Sequence, residues 1–185
     1  MYAEMLKKYS DDLAAKLPAP GGGSAGAAAA SLGCACLSMV ANFTVGKPKY
    51  ARHEGTIRKV LERSEKLRLE FLNLVDLDVI AYQSKDPRKA MDIPLMTSRL
   101  CYEAMKLCLP LAKKGNPNLI TDVAVGACLI ESAYASACYN VIINLKFIDD
   151  PKLAVKVKKE LSTKNQRIIN IRKVTEVYVG KVIGG

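Results

Sequence analysis

The segment GGGSAGAAAASLGCACLSMVANFTV, residues 21–45, is the most informative part of the sequence for the fold. It carries no charged side chain and consists mostly of alanine, glycine, serine and cysteine. Three glycines allow a turn at its start, Ser24 is placed to cap a helix, and Gly46-Lys47-Pro48 ends it. We therefore predict a helix from Ser24 to about Val45. A helix with small residues on most of its sides must be buried on most of them, which indicates a bundle built around it.

Prolines, glycines and Asp-Pro pairs divide the rest of the chain into further helices. These run from Tyr2 to Lys16, from about His53 to Gln83, from roughly Lys89 to Lys114, from about Ile120 to Phe147, and from Lys152 to Val182. Pro94 lies inside the fourth helix or marks its true start. No segment alternates like a strand. The sequence predicts one all-α domain over residues 1–185, a bundle of about six helices.

The chain has 185 residues and a formal net charge of +10, which favours anionic partners. Aromatic residues make up only 6% of it and do not alternate with basic ones, so nucleic-acid binding is supported by charge alone. The six cysteines form no C-x-x-C pair and His53 is the single histidine, which is not typical of a metal site. We expect buried free thiols in a reducing, cytoplasmic compartment.

Residues 26–45 are almost long enough to span a membrane, but they lack the Leu, Ile and Phe that drive insertion. We therefore expect a buried helix and no membrane association. Small and polar residues recur on one face of this helix, at Ser24, Ala28, Ser31, Ala35, Ser38 and Asn42. That face fits either close helix packing or the floor of a ligand cleft. One bundle buries such a helix poorly, so we predict a homodimer formed through the small-residue helices.

Two acids are candidates for proton transfer. Asp78 continues the apolar stripe of the third helix, followed one turn later by Tyr82, so its carboxyl group should be partly desolvated and its pKa raised. A satisfied structural acid explains Asp78 equally well. Asp122 lies in the first turn of the fifth helix, where the helix dipole alone accounts for an anion. Asn140 and Asn144 present amides on the same helix.

Several segments, taken in order, resemble one known family. They are Leu17–Ala25, Met39–Thr44, Gly46–Tyr50, Leu74–Asp78 with Tyr82, Ile93–Leu95, Gly115–Asn118 with Asp122, and Asn140–Leu145. Together they are similar to the C-terminal domain of formiminotransferase-cyclodeaminase, whose family includes stand-alone methenyltetrahydrofolate cyclohydrolases. The resemblance implies an all-helical dimer acting on folate. Its members either expel ammonia from 5-formiminotetrahydrofolate or hydrate 5,10-methenyltetrahydrofolate to a formyl product.

The resemblance also implies roles for individual residues. The methenyl bridge is cationic, so a nearby carboxylate stabilises it, and we assign proton transfer to Asp78 or Asp122 with Tyr82 beside them. The expected substrate-binding residues are Gly22, Gly23, Ser24, Asn42, Lys47, Lys49, Tyr50, Asn116, Asn118, Asn140 and Asn144. Among these, the asparagines would hold the pterin, and Lys47 and Lys49 would meet the glutamate tail. No cofactor is expected beyond the tetrahydrofolate substrate.

The chain also departs from the family pattern. The connection between Tyr82 and Pro94 is much shorter than usual, which puts substrate choice or activity in doubt. The transferase domain of the bifunctional enzymes is missing, so a separate formiminotransferase is an expected partner. Two alternatives remain: a non-catalytic helical dimer that binds folate or another anion, and a basic nucleic-acid-binding protein.

Overall fold

Six α-helices form the chain in the computed structural model, which describes residues 1–184. They are α1 (Tyr2–Ala14), α2 (Gly22–Asn42), α3 (Glu54–Gln83), α4 (Pro87–Lys114), α5 (Ile120–Leu145) and α6 (Pro151–Ile183). Short 3₁₀ turns, Pro48–His53 and Pro117–Leu119, precede α3 and α5. No strand occurs within residues 1–184. The prediction of an all-α bundle of about six helices is confirmed.

The predicted start of α2 is wrong, and one of the two alternatives for Pro94 is excluded. The cap of α2 is Gly21, and the helix begins at Gly22, so Ser24 lies inside the first turn. Pro94 does not start α4, which begins at Pro87 behind the cap Asp86. The Asp86 carboxylate accepts the Arg88 backbone N–H at 2.9 Å, which satisfies one donor of the first turn. An N-terminal proline and an aspartate cap therefore define this helix start better than the internal proline does.

The centre of the bundle is α2, which packs against both α3 and α5. Its small polar face lies on α3: Ser38 and Ser64 share a hydrogen bond of 2.8 Å, and the Ser31 hydroxyl donates to the Arg68 carbonyl at 3.0 Å. Ser24, Ser31 and Ser38 are all buried. Of the two interpretations of this face, close helix packing is therefore the one that the structure shows.

The antiparallel pair of α2 and α5 is held at very short range by two glycines. A Cβ added to Gly33 would lie 3.0 Å from the Gly126 carbonyl oxygen, and one added to Gly126 would lie 2.9 Å from the Gly33 oxygen. Real Cβ atoms do not tolerate such separations, so the two backbones touch only because both positions lack a side chain. Gly22, at the start of α2, faces Asn140, near the end of α5.

The first helix is the least embedded part of the chain. No residue of α1 is buried, and its apolar side chains Tyr2, Met5 and Leu6 are all exposed. One polar contact joins it to the bundle, between the Tyr9 hydroxyl and the Ser24 hydroxyl, 2.9 Å apart. Since Ser24 is fully buried, α1 is tied to the first turn of α2.

The six cysteines are free, as predicted. Cys34, Cys101 and Cys108 are buried, Cys36 and Cys138 are half-buried, and Cys128 is exposed. Burial raises the pKa of the Cys34 thiol to about 12, so this group is protonated and unreactive at neutral pH. Cys128 departs from the expectation of burial.

In the described part of the chain, two helical segments are long and apolar enough to cross a bilayer by length and composition, namely Gly22–Asn42 and Pro117–Leu145. The bundle itself buries 61% of the relevant window in the first and 39% in the second. Core helices of this kind pass the same test. The expectation of no membrane association stays a prediction.

Candidate functional site

One small polar cavity contains Asp78 and Tyr82 together with four of the predicted substrate-binding residues, Gly22, Gly23, Asn140 and Asn144. It has a volume of about 170 Å³. Its walls are Pro18, Ala19, Gly21, Gly22, Gly23, Asp78, Tyr82, Ala90, Asn140 and Asn144. These come from the loop before α2, the first turn of α2, the last turns of α3, the start of α4 and the end of α5. We refer to it as the Asp78 cavity.

The Asp78 carboxyl group lies against the first turn of α2. A Cβ added at Gly23 would meet Asp78 Cγ at 2.6 Å, so only glycine at this position leaves room for the carboxyl group. Burial raises the pKa of Asp78, while a hydrogen bond from the Ser24 backbone N–H opposes that rise. The half-buried carboxylate is thus held by a helix N-terminus and is a stronger base than an exposed aspartate. The predicted desolvation of Asp78 is confirmed.

The amides of Asn140 and Asn144 are fixed by backbone carbonyls. Asn140 Nδ2 donates to the Ser136 oxygen at 2.9 Å. Asn144 Nδ2 donates to two oxygens, those of Asn140 and Ala90, each at 2.9 Å. Both hydrogens of the Asn144 amide are therefore used, which leaves its Oδ1 as an acceptor for a ligand.

The Ala90 oxygen is available because of Pro94. In a regular α-helix, the N–H four residues later would bond this carbonyl, but that residue is Pro94 and it has no N–H. Asn144 from α5 supplies the missing donor. The internal proline of α4 thereby produces an anchor for an asparagine of the cavity.

Sequence reasoning missed three features of this cavity. Ala90 contributes through its main chain only, and the Ala90–Asn144 bond depends on how α4 and α5 pack. Pro18 and Ala19 were recognised only as part of a matching segment. Tyr9 bonds the residue whose backbone holds Asp78, and no spacing along the chain links these two residues. The available signal for Ala90 was Pro94, a proline inside the helix four residues later.

The walls of the cavity include one carboxyl group, that of Asp78, and the side-chain amides of Asn140 and Asn144. Asp78 is its single ionisable group apart from the Tyr82 phenol, and none of its wall residues is basic. Tyr82 is 58% exposed and lies at the edge of the cavity. In a chain with ten surplus positive charges, this cavity attracts a small cationic or N–H-rich group.

The shortened connection does not remove the cavity. α3 ends at Gln83 and α4 begins at Pro87, so three residues join them. Lys85, in this turn, takes a positive φ of 56°. Even with so short a turn, Tyr82 and Ala90 both reach the cavity wall.

The other predicted residues lie at the opposite end of the α2–α5 pair. They are Asn42, Lys47, Lys49, Tyr50, Asn116, Asn118 and Asp122. Asp122 and Asn140 are 18 residues apart on one helix, which corresponds to about 27 Å at 1.5 Å per residue. The structure therefore does not bring Asp78 and Asp122, the two acids assigned to proton transfer, together within one protomer.

Part of this second group stabilises the fold. The Tyr50 hydroxyl donates to Asn116 Oδ1 at 3.0 Å, and the Asn118 backbone N–H donates to the same oxygen at 3.1 Å. Tyr50 and Asn116 are both buried, so their side chains are used by the hydrogen bond between them.

The remaining members of this group keep side chains that a ligand can reach. Asn42, Lys47, Lys49 and Asn118 are exposed. Asp122 is half-buried, and its charge adds to the effect of burial in raising the pKa of Cys36.

Larger grooves exist but lack the chemistry of the Asp78 cavity. A groove of about 370 Å³ between α5 and α6 has no acidic wall residue. Another, of about 690 Å³ between α3 and α4, is mostly apolar, and its acids Glu70 and Asp92 pair with Arg63 at 3.9 Å and with Arg88 at 3.4 Å. Within residues 1–184, no group of three His, Cys, Asp or Glu side chains could hold a metal ion.

Comparison with known proteins gives consistent results. The sequence pattern of the formiminotransferase-cyclodeaminase family matches residues 5–86 and 84–163. A methenyltetrahydrofolate cyclohydrolase of Methylorubrum extorquens is 35% identical over 181 residues, covering 85% of this chain and 87% of that protein. The formimidoyltransferase-cyclodeaminase of Rattus norvegicus is 27% identical, and the match spans 34% of its length. The crystal structure of formiminotetrahydrofolate cyclodeaminase from Thermotoga maritima superposes with a TM-score of 0.82 and 27% identity, covering 97% of this chain and 96% of that one.

Proposed function

Since this chain belongs to the formiminotransferase-cyclodeaminase family and is a folate one-carbon enzyme, we propose that the Asp78 cavity opens or closes the N5–C–N10 bridge of tetrahydrofolate. The observation that carries this proposal is a desolvated carboxylate at a helix N-terminus, in a cavity without a basic wall residue. A cationic methenyl carbon complements such a site. Asn140 and Asn144 present amide oxygens toward the N–H groups of a pterin.

In the hydrolytic reaction, Asp78 acts as a general base. Water adds to the methenyl carbon while the Asp78 carboxylate takes one of its protons. The bond from that carbon to N5 then breaks, and N5 receives the proton back from Asp78. The remaining hydroxyl proton goes to solvent as the formyl C=O forms. In the deaminating reaction, N10 adds to the carbon of the protonated formimino group and gives its proton to the Asp78 carboxylate. Asp78 then passes that proton to the formimino nitrogen as the bond between that nitrogen and the carbon breaks, which releases ammonia and leaves the methenyl cation.

We propose cyclohydrolase as the first activity, because the cyclohydrolase of Methylorubrum extorquens matches over nearly its whole length at 35% identity. Cyclodeaminase is the second candidate, because the Thermotoga maritima cyclodeaminase has the same fold over 96% of its chain. The experiment follows methenyltetrahydrofolate absorbance twice with purified protein. Loss of the methenyl compound supports the first activity, and its appearance from the formimino compound supports the second. Saturable folate binding without either change would favour a non-catalytic binder.

We further propose that the active form is a homodimer. The outer face of the α2–α5 pair leaves apolar side chains exposed at helical spacing, Leu32, Met39 and Phe43 on one helix and Val125, Tyr139 and Ile143 on the other. A second copy covers this face if a two-fold axis crosses the helices at right angles. That axis places the Asp78 end of one protomer against the Asp122 end of its partner, so one site receives both acids.

Mixing two inactive variants tests this arrangement. Asp78→Asn and Asp122→Asn each damage both sites of their own dimers. In a one-to-one mixture, half the dimers are mixed, and each holds one intact site, so about one quarter of the wild-type activity returns. If both acids act within one protomer, mixing restores nothing. Equilibrium sedimentation of Leu32→Arg, expected to be monomeric, is the independent check on the interface.

Other expectations stay predictions: a cytoplasmic location, no cofactor beyond the folate, no nucleic-acid partner, and a separate formiminotransferase. The last follows from the animal relatives, in which a transferase and a cyclodeaminase share one name and this chain spans about a third of the length. Co-purification with a formiminotransferase from the source cell is the measurement for it.

A further inference from the structure

A second cavity, with basic residues in its wall, lies at the Asp122 end, opposite the Asp78 cavity. Its volume is about 230 Å³, and the turn Pro48–His53, the end of α4, the start of α5 and the end of α6 surround it. Four of its wall residues carry a permanent positive charge: Lys49, Arg52, Lys113 and Lys114. None of its wall residues is acidic. We refer to it as the basic cavity.

The four cations have no carboxylate partner within residues 1–184. The nearest acid in sequence, Glu54, is engaged by Arg58 at 2.7 Å and by the Gly46 backbone N–H at 3.1 Å. Lys114 Nζ donates instead to the Thr56 hydroxyl at 3.4 Å. Lys113 and Lys114 lie at the C-terminus of α4, where the helix dipole favours cations. That effect does not account for Lys49 and Arg52, which belong to the 3₁₀ turn.

The walls of this cavity are tied together. Tyr50, in the 3₁₀ turn, donates its hydroxyl to Asn116, in the connection between α4 and α5. The Asn116 backbone N–H donates to the Thr44 hydroxyl at 2.9 Å. These buried bonds hold two basic segments beside each other, although their charges repel. An anion bound between them relieves that repulsion and stabilises the folded protein.

We propose that the basic cavity binds a compact group with two or more negative charges, such as a diphosphate or a pair of closely spaced carboxylates. The size follows from the volume, which is below the roughly 300–1,000 Å³ typical of pockets for drug-sized ligands. The charge follows from four unpaired cations. Within one protomer the basic cavity shares no wall residue with the Asp78 cavity, so anion binding to it can be measured without turnover.

Pyrophosphate and glutarate are suitable probes, titrated by calorimetry into the wild-type protein at low salt. We expect saturable binding of at least one of them and a rise in melting temperature. The double variant Arg52→Gln/Lys113→Gln should weaken that binding by about tenfold or more, because two exposed cations are removed. The matched control is Lys156→Gln/Lys159→Gln, which makes the same change of net charge on exposed α6 residues.

Failure of both probes to saturate would overturn the proposal. Equal weakening by the control variant would also overturn it, because the binding would then reflect surface charge in general. The source of the anion follows from the folate kinetics of the Arg52→Gln/Lys113→Gln variant. A raised KM with an unchanged kcat assigns the cavity to the carboxylates of a folate tail. Unchanged folate kinetics, with pyrophosphate binding lost, assign it to a separate phosphate-bearing ligand.

Discussion

Replacing Pro94 with alanine separates the effect of this residue on stability from its effect on activity. The substitution restores an N–H that can bond the Ala90 carbonyl within α4, in competition with Asn144. Removing an internal proline favours the helix by about 3 kcal/mol. Two buried methylene groups are lost, at about 0.8 kcal/mol each. The Asn144 bond contributes about 1 kcal/mol more. These effects nearly cancel, so the unfolding free energy should change by less than about 1 kcal/mol.

Activity should respond differently, because Asn144 loses one of the two bonds that orient it. A hydrogen bond of about 0.5–1.5 kcal/mol corresponds to a fall in kcat/KM of roughly 2- to 12-fold. The assay is kcat/KM for the preferred folate, beside a thermal unfolding curve. Pro110→Ala is the matched control, since Pro110 is also internal to α4 but lies away from the Asp78 cavity.

A double variant decides whether Pro94 acts through Asn144. Asn144→Ala alone should lower kcat/KM, and adding Pro94→Ala should lower it no further, because the two changes remove the same bond. Two results would refute this reasoning. One is a double variant in which the falls in kcat/KM of the two single variants multiply, and the other is a fall in Pro110→Ala equal to that in Pro94→Ala. Either result would mean that Pro94 acts through general helix distortion.

Four further predictions concern single residues. Gly23→Ala should abolish activity, measured as turnover of both folates, because the new methyl group displaces the Asp78 carboxyl group. The raised pKa of Asp78 means that the folded state favours the neutral carboxyl group, so ionisation of Asp78 lowers the stability of the fold as the pH rises through that pKa. At pH 7, Asp78→Asn should therefore have a melting temperature no lower than that of the wild type, while it loses turnover. For the same reason, the acid limb of the pH–rate profile should lie above about pH 4, the usual range of aspartate. Tyr134→Phe should cost about 0.5–1.5 kcal/mol in urea unfolding, because the 2.6 Å bond from the Tyr134 hydroxyl to the Leu161 carbonyl is lost.

Much of the fold was predictable because the residues that end its helices act locally. Asp-Pro pairs and the Gly-Asn-Pro-Asn turn fix helix ends through backbone restrictions that do not depend on the rest of the chain. The wrong cap at Ser24 and the excluded helix start at Pro94 have a shared cause. Ser24 and Pro94 both resemble helix starts, but tertiary structure uses them otherwise, Ser24 as a buried partner of Tyr9 and Pro94 as the reason for a free carbonyl.

The candidate site was predictable only where its residues lie on one helix at helical spacing. Asp78 and Tyr82 follow from the apolar stripe of α3, and Asn140 and Asn144 are one turn apart on α5. Which of the remaining residues share a cavity depends on the direction in which α2 and α5 run past each other. The periodicity of each helix contains no information about that direction, so Asp122 was grouped with Asp78.

The glycine contact between α2 and α5 has a mechanical consequence. With no layer of side chains between the two backbones at Gly33 and Gly126, neither helix can slide or rotate without the other. The two helices therefore form one rigid unit, with the Asp78 cavity at one end and the basic cavity near the other. The spacing of the two cavities should stay constant whether or not either is filled, so a partner that engages both must match a fixed length.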